Sequence, residues 1–200
     1  MTVAACGFAV NAAGGNPDFP MAEPCLPVPV LLVVAAFSRH ESALAWGRER
    51  LEETFGPVAL ASAALPFNQT SYYERTMGPD LQKQFLTFAR LIDGADLARV
   101  KLHTNELERR LAEMATYPEE RPINLDPGLL YLGKLTLATT KDQAHRIYLR
   151  DGIFAEVTLR FEQGVFQPWP WTYADYRAPE LLRFLLEARG YYKQRLLDKP

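Results

Sequence analysis

Residues 124–161 read NLDPGLLYLGKLTLATTKDQAHRIYLRDGIFAEVTLRF and carry the clearest structural signals in the chain. The Asp151-Gly152 pair lies between two apolar-rich runs, which is typical of a β-hairpin with a two-residue type I′ turn. A Gln163-Gly164 pair soon afterwards predicts a second turn. The region is therefore predicted to form an antiparallel meander, with strands at residues 134–138, 145–150, 153–161 and 165–167.

Strand and helix signals alternate before this segment. Residues 28–37 form an apolar, valine-rich run that is typical of a buried strand. Ser38 and Glu41 then stand three residues apart, which predicts a capping box and the start of a helix, and Gly56 predicts the end of that helix. Two more strands are predicted from the apolar pattern, at residues 58–65 and 84–92.

A second helix is predicted from an apolar stripe at residues 97–114, in which Thr104 is the weakest member. An alternative places a short strand at residues 100–102 and begins the helix at Thr104. A strand at residues 122–125 then completes a β-α-β-β-α-β order. The predicted fold class is accordingly α+β: a ferredoxin-like split βαβ core, extended by the antiparallel β-meander and followed by a C-terminal helix that begins at Pro179.

Length and composition predict one folded domain. The chain has 200 residues, of which 48% are hydrophobic and 23% are charged, as is usual for a globular protein. Residues 27–200 are assigned to a single α+β domain. Residues 1–26 are predicted to be a flexible extension, with Met21 as an alternative start of translation.

Charge and cysteine content narrow the classes of function. The net charge is -2, so the chain has no basic excess for nucleic acid, and composition argues against such a partner. Residues 28–37 are about half the ~20 residues that a membrane-spanning helix needs, so no membrane partner is expected. Cys6 and Cys25 both precede the first predicted element, where a disulfide cannot cross-link the core. A cytoplasmic location is therefore expected.

Two candidate catalytic residues face each other across the predicted hairpin. A two-residue turn pairs Tyr148 with Ala155 and places His145 diagonally across from Glu156 at about 7 Å, within reach of long side chains. A carboxylate in this position can orient the imidazole as a general base. The alternative interpretation is that Glu156 belongs to the solvated face of a half-buried strand.

Asp126 is the third candidate catalytic residue, as a second acid or as a ligand for Mg²⁺. It precedes Pro127-Gly128, which is predicted to be a turn that directs the carboxylate away from the strand end. The loop after the next strand offers the groups of an anion or phosphate site, namely Thr139, Thr140, Lys141 and Asp142. Arg146 is predicted to hold the same anion, although alternation along its strand directs it away from His145.

Aromatic residues supply a further candidate surface. Trp169 and Trp171 are predicted to bind a planar ligand, in a wall that also includes Tyr72, Tyr73, Tyr173 and Tyr176. The alternative is that these rings pack the C-terminal helix onto the sheet. No sequence motif predicts a metal site or identifies a cofactor, and the Walker, Rossmann and α/β-hydrolase motifs do not occur.

Several blocks of sequence, in the same order, are similar to a known family. The blocks are PFNQTSYYERTMG at residues 66–78, KLHTNELE at 101–108, the segment at 124–161 and PWPWTYADYR at 168–177. They resemble a bacterial family catalogued as domain of unknown function 4416, from residue 28 to the C-terminus. That family has no established activity, substrate or catalytic residues, so the resemblance implies membership without implying a role for any residue.

Two functions remain open, and the sequence does not decide whether the protein is an enzyme. The favoured one is a binding protein or enzyme for a small anionic ligand, phosphorylated or nucleotide-like, with its polar site on the meander. The alternative is a non-catalytic protein-binding or scaffold domain. Such a domain can form a homo-oligomer through an exposed strand at the edge of the meander.

Overall fold

The computed structural model describes residues 27–68, 70 and 72–198, so the predictions for residues 1–26 lie outside the described residues. Within them the chain forms nine strands, all in one sheet, and four α-helices. The strands are β1 (Leu31–Ser38), β2 (Val58–Ala61), β3 (Leu65–Pro66), β4 (Gln82–Phe88), β5 (Asn124–Leu130), β6 (Lys134–Thr139), β7 (Ile147–Arg150), β8 (Ile153–Glu162) and β9 (Val165–Pro168). The helices are α1 (Glu41–Phe55), α2 (Glu74–Met77), α3 (Leu97–Glu113) and α4 (Pro179–Leu197), with 3-10 turns at Gly94–Asp96 and Ala174–Arg177.

Seven strands lie side by side in the order β2-β4-β1-β5-β6-β8-β7, with β3 beside β4 and β9 beside β8. The pairings between these strands are antiparallel. The predicted α+β class, the antiparallel extension and the C-terminal helix are confirmed. The connection β1-α1-β2-β4-α3-β5 and the order β2-β4-β1-β5 are compatible with a split βαβ core, and assignment to the ferredoxin-like folds stays a prediction.

Helices cover both faces of the sheet. On one face, Leu32 and Val34 of β1 belong to an apolar cluster with residues of α1 and α3. On the other face, Leu31 and Val33 belong to a cluster with Leu185 of α4. Burial on both sides explains why β1 is a continuous apolar run rather than an alternating one. Among the described residues, no helix has both the length and the apolar content that a bilayer crossing demands.

Helix α1 begins at Glu41 as the pattern predicts, but the predicted capping box is wrong. Ser38 is the last residue of β1, and its Oγ donates to the carbonyl of Pro122 at 2.6 Å and accepts the N–H of His40 at 3.0 Å. His40 occupies the N-cap position without a side-chain cap. The Ser38 hydroxyl therefore joins β1 to the chain segment before β5 instead of closing the first turn of the helix.

Helix α3 is continuous from Leu97, so the alternative strand at residues 100–102 is wrong. Thr104, the polar interruption in its apolar stripe, is fully buried. Its Oγ1 donates to the carbonyl of Lys101 at 3.0 Å, which satisfies the hydroxyl inside the helix. A threonine bonded in this way does not end a helix that tertiary packing stabilises.

Strand β5 includes the Pro127-Gly128 pair, so the turn predicted there is wrong. The strand pairs with β1 from residue 124 to 130 but with β6 only from Gly128 onward. Along a strand, the main-chain N–H groups of successive residues point alternately to the two neighbouring strands. The N–H of Tyr131 donates to the carbonyl of Lys134 and so points to the β6 side. Pro127 precedes Tyr131 by four residues, so its nitrogen points to the same side. Proline has no N–H to leave unpaired there. The sheet therefore opens between β5 and β6 at this point.

Side chains of α3 cover the opened part of β5. Glu108 Oε1 accepts the N–H of Leu125 at 2.7 Å, and Lys101 Nζ donates to the carbonyl of Leu125 at 3.2 Å. Without them, these buried main-chain groups would have no hydrogen-bond partner. The buried charges of α3 thus replace the hydrogen bonds that β6 would otherwise have made.

Both predicted turns form with the positive φ values of type I′ geometry. Asp151 and Gly152 have φ of 52° and 75°, and Gln163 and Gly164 have φ of 52° and 85°. Within the extension, β8 pairs with β6, while β7 and β9 pair with the first and second halves of β8. Strand β7 therefore lies at the edge of the sheet.

The register of the hairpin departs from the prediction by one residue. Tyr148 pairs with Phe154 rather than with Ala155, because the register shifts between Tyr148 and Arg150. Residues 145 and 146 precede β7 and are not part of a strand. Strand alternation therefore does not separate His145 from Arg146.

Candidate ligand-binding cleft

A cleft of about 550 Å³ lies where β5 and β6 separate. It is bounded by residues 67, 70, 72 and 73 and by the segments at residues 139–146 and 173–176. Charged and polar side chains from seven different parts of the chain converge on it. The cationic lining residues are Lys83, Lys101, Arg121, Lys141 and Arg146, and the acidic ones are Asp126, Glu156 and Asp175. The tyrosines are Tyr72, Tyr73, Tyr173 and Tyr176, and the amides are Asn105, Asn124 and Gln143.

The structure brings six of the ten predicted site residues into the cleft lining: Asp126, Thr139, Thr140, Lys141, Arg146 and Glu156. His145 lies outside the lining but contacts Glu156. Asp142 is exposed on the loop and does not line the cleft. Trp169 and Trp171 also lie outside the lining.

Asp126 lies on the floor of the cleft between two lysines. Its Oδ1 accepts from Lys101 Nζ at 3.0 Å and its Oδ2 accepts from Asn124 Nδ2 at 2.7 Å. Burial alone would raise the pKa of this carboxyl, but the charges of Lys101 and Lys83 and the hydrogen bonds from Lys101 and Asn124 outweigh it and lower the pKa. With its side chain 30% exposed, Asp126 is an ionised carboxylate that a ligand can reach.

Lys83 and Asp175 form a second buried ion pair on the floor. Lys83 Nζ lies 2.5 Å from Asp175 Oδ2. Four aromatic rings surround the ammonium group at 4.8 to 5.4 Å, from Phe37, Phe67, Phe85 and Tyr176. The carboxylate and the ring faces together hold the ammonium group in place by electrostatic attraction. Sequence reasoning missed this pair, whose members are 92 residues apart along the chain.

Glu156 is held by three side chains. Its Oε2 accepts from Arg146 Nε at 2.7 Å and lies 3.3 Å from His145 Nε2, and its Oε1 accepts from Thr158. The alternative interpretation, in which Glu156 lies on a solvated strand face, is wrong because Glu156 and Thr158 are both buried. The predicted contact between His145 and Glu156 is present.

Arg146 connects Glu156 to two walls of the cleft. Its Nη1 donates to the carbonyl of Lys141 at 2.9 Å and its Nη2 donates to Tyr173 Oη at 2.8 Å. The side chain is 1% exposed, so few of its donors remain for a ligand. Burial would lower the pKa of the guanidinium, but Glu156 and Tyr173 outweigh this and raise it. We interpret Arg146 as the residue that positions the loop of Lys141 beside Tyr173.

Lys141 and Tyr72 meet at the mouth of the cleft. Lys141 Nζ donates to Tyr72 Oη at 3.2 Å and lies 4.6 Å from the centre of its ring. That hydrogen bond and the charge of Lys141, followed by the charges of Arg121 and Arg75, lower the pKa of Tyr72. Within residues 27–68, 70 and 72–198, Lys141 has no carboxylate within 4.0 Å, the limit for an ion pair, unlike the other four cations of the cleft.

Two tyrosines are poorly hydrated. Burial raises the pKa of Tyr73 and of Tyr176, with a further contribution from nearby carboxylates, so both phenols stay protonated near neutral pH. Tyr176 Oη is buried and has no hydrogen-bond partner among the described residues. An unpaired buried hydroxyl costs about 1 to 3 kcal/mol.

The two tryptophans pack against each other outside the cleft. Their rings stack at 5.2 Å with an interplanar angle of 4°. His145 stacks on Trp171 at 5.1 Å, and the Arg160 guanidinium lies 4.4 Å from the Trp169 ring centre. Protein groups therefore occupy the ring faces that a planar ligand would need. The predicted aromatic wall does not form as one surface: its four tyrosines line the cleft, and its two tryptophans do not.

The balance of charge makes the cleft cationic. Five cationic side chains and three carboxylates line it, although the whole protein has a net charge of -2. A concave surface with low-dielectric walls concentrates such a field. Among the described residues, no group of three His, Cys, Asp or Glu side chains is placed to hold a metal ion.

Comparison with known proteins supports one relationship. Residues 28–192 match the sequence profile of the family described as Domain of unknown function (DUF4416). Neither the curated proteins nor the solved structures contain a detectable match to the chain. Because the matched region covers more than half of the chain, the protein belongs to the DUF4416 family.

Proposed function

We propose that the protein binds a small anionic compound, phosphorylated or nucleotide-like, in the cleft between β5 and β6. One observation carries this proposal: a 550 Å³ concavity lined by five cationic side chains and three carboxylates in a protein of net charge -2. Its volume lies within the ~300 to 1,000 Å³ typical of small-molecule sites. The cationic excess favours an anion over a neutral or cationic ligand.

The lining groups differ in how accessible they are to a ligand, and each kind of group is expected to contact a different part of it. Lys141 has no carboxylate partner in the part of the chain that the structure describes, and Arg121 is about one-third exposed. These two cations are therefore the first contacts for a phosphate group. Tyr73 and Tyr173 offer ring surface and hydroxyls to a planar or sugar-like part. Asp126 accepts a hydrogen bond from a ligand hydroxyl or amine on the floor.

An enzymatic version of the proposal uses the predicted catalytic residues. His145 acts as a general base that Glu156 orients, and the 3.3 Å contact between their polar atoms supports this pairing. Asp126 acts as the second acid group. Because His145 lies outside the cleft lining, this version requires a ligand that extends past the loop at residues 139–146.

Isothermal titration with inorganic phosphate, ribose 5-phosphate and AMP tests the binding proposal. We expect binding to the wild-type protein and an affinity at least about tenfold lower in Lys141→Gln, since one charged hydrogen bond contributes about 1.5 to 3 kcal/mol. Lys193→Gln is the matched control, because Lys193 is an exposed lysine on α4 outside the cleft. No heat change with any of the three compounds would contradict the proposal.

A second candidate function is a protein contact at the edge strand β7. Its residues Ile147, Tyr148 and Leu149 are consecutive and exposed, with Ile147 at 72%. An open edge strand with apolar side chains is a surface for strand addition, including pairing with a second copy. Light scattering after size-exclusion chromatography tests this candidate. A homodimer that Ile147→Lys converts to a monomer supports it, and a wild-type monomer contradicts self-association.

We also propose a single domain over residues 27–200 that acts in the cytoplasm without a nucleic-acid partner. The continuous sheet supports one domain. The net charge of -2 and the position of both cysteines before residue 27 support the location and the absence of a nucleic-acid partner. Limited proteolysis tests the domain assignment, because one domain yields a single resistant fragment.

A further inference from the structure

A second concavity, which we call the arginine groove, lies beside the cleft and shares lining residues with it. The groove has a volume of about 660 Å³ and lies between α2 and α3. Its charged lining residues are Arg75, Arg109, Arg121, Glu108 and Glu120. It shares Tyr72, Tyr73, Asn105 and Arg121 with the cleft. The two concavities therefore adjoin at these four residues, which we call the junction.

The junction is a point of concentrated positive charge. Lys141, Arg121 and Arg75 all act on the Tyr72 phenol, and each of their charges favours its ionised form. They approach it from different elements: Lys141 from the loop after β6, Arg121 from the segment before β5, and Arg75 from α2. A negative charge placed at the junction is within the field of all three.

Two of these cations are free to bind a ligand. Arg75 and Lys141 have no carboxylate within 4.0 Å among the residues that the structure describes. In contrast, Arg121 is paired with Glu108 at 2.6 Å and Arg109 is paired with Glu106 at 2.5 Å. Arg75 is exposed, so it can turn toward a ligand without breaking an ion pair. The available charge thus lies at both sides of the junction.

We propose that the ligand bound in the cleft carries a chain of two or more phosphates, which crosses the junction at Tyr72 and ends beside Arg75 in the arginine groove. This inference rests on the binding function proposed above and adds the substrate class. A second and a third phosphate extend the negative charge of the ligand from Lys141 in the cleft toward Arg75 in the groove. A linear polyphosphate places a charge on each successive phosphorus and matches the planar arginine groups with paired oxygens.

Titration calorimetry in EDTA with orthophosphate, diphosphate and triphosphate, and then with AMP, ADP and ATP, tests the inference. We expect the affinity of the wild-type protein to rise by at least about tenfold from the first to the last member of each series, the factor that one added charged hydrogen bond supplies. Equal affinity for all members of both series would overturn the inference and leave the binding function intact.

The variant Arg75→Gln separates the contribution of the groove to ligand affinity from the contribution of the cleft. We expect this variant to lose about tenfold in affinity for triphosphate and ATP and to keep its affinity for orthophosphate and AMP. Arg75→Lys should restore part of the loss, and Arg183→Gln, an exposed arginine on α4, should change nothing. Because Arg75 and Arg183 are exposed, both variants are expected to fold, which circular dichroism checks.

The remaining outcomes distinguish the two proposals. If Arg75→Gln weakens the binding of orthophosphate and of triphosphate equally, Arg75 belongs to the primary anion site. The assignment of the phosphate chain to the groove is then overturned. If Arg75→Gln leaves every affinity unchanged while the wild-type affinity still rises along the series, the phosphate chain does not lie beside Arg75. The inference is again overturned. If no phosphate compound binds the wild-type protein, the binding function itself fails, and the inference fails with it.

Discussion

Lys101 Nζ lies 3.0 Å from Asp126 Oδ1, although α3 and the Asp126 side chain lie on opposite faces of the sheet. The contact is possible because β5 and β6 separate beside Pro127, which leaves a passage through the sheet. The same ammonium group donates to the Leu125 carbonyl at 3.2 Å. Lys101 is therefore both a structural replacement for a strand hydrogen bond and the main counter-charge of the carboxylate on the cleft floor.

Replacing Lys101 by Met should destabilise the protein by about 2 to 3 kcal/mol, less than for a fully buried pair because Asp126 is partly exposed. The variant leaves the Leu125 carbonyl without its partner and Asp126 without its nearest positive charge. Urea denaturation measures the change in unfolding free energy. Arg99→Met, an exposed position on the same helix, should change it little, and an equal loss in the two variants would contradict this role.

Gly128→Ala should also destabilise the protein, through the contact between β5 and β6. A Cβ at this position would lie 2.6 Å from the Thr136 carbonyl oxygen and 2.6 Å from Leu137 Cδ2. Main-chain atoms cannot move aside cheaply, so we expect a loss of about 1 to 3 kcal/mol. Gly190→Ala is the control of opposite sign, since its Cβ meets nothing within 4 Å and alanine favours the interior of α4 by about 0.5 to 1 kcal/mol. Thermal unfolding measures both changes, and a neutral Gly128→Ala would show that the strands can separate further.

Stability should fall in acid partly through Glu119. Burial opposes its ionisation, but hydrogen bonds from His40, from its own main-chain N–H and from Arg39 outweigh burial and lower its pKa below 4.5. The unfolded chain then binds the proton more tightly, so the stabilising contribution is complete above pH 4.5 and is lost as the pH falls through the folded-state pKa. Glu119→Gln should be less stable than wild type near neutral pH and should lose less stability below pH 4.5. Denaturation curves at several pH values test this, with the exposed Glu180→Gln as control; parallel slopes for Glu119→Gln and wild type would contradict it.

The phenol of Tyr72 should titrate below its ordinary pKa of 10.0 because of the Lys141 ammonium group. Lys141→Gln removes both the hydrogen bond and the charge, so the pKa should rise toward 10.0. Nuclear magnetic resonance of ring-labelled tyrosine measures it directly. Lys193→Gln should leave the titration unchanged, and an unchanged pKa in Lys141→Gln would show that the two side chains do not meet in solution.

Local signals were the most successful part of the sequence analysis. The turn at Asp151 and Gly152 and the helix that begins at Pro179 each depend on the conformational preferences of a few adjacent residues, and both form as predicted. The shift in register after Tyr148 has no such signal: β7 advances two residues, from Tyr148 to Arg150, where β8 advances only one, from Ile153 to Phe154. One wrong pairing was enough to misplace the side chains of the hairpin.

The sequence predicted the lining of the cleft only where the lining residues lie close together along the chain. Lys141, Arg146 and Glu156 lie in one segment and were expected to lie together, whereas Lys83 and Asp175 are brought together by the packing of β4 against the segment before α4. Pro127 was assigned to a turn because proline beside glycine usually marks one. In the structure it is accommodated within a strand, since β6 has already moved away from that position.

Pro127 affects which amino-acid substitutions can change the ligand-binding cleft without closing it. An amino acid with an amide hydrogen at position 127 could extend the ladder toward β6, but an imino acid cannot. The cavity is thus encoded by the main chain, independently of the residues that give it charge. We expect substitutions among the lining side chains to alter which compound is accepted while the opening itself persists.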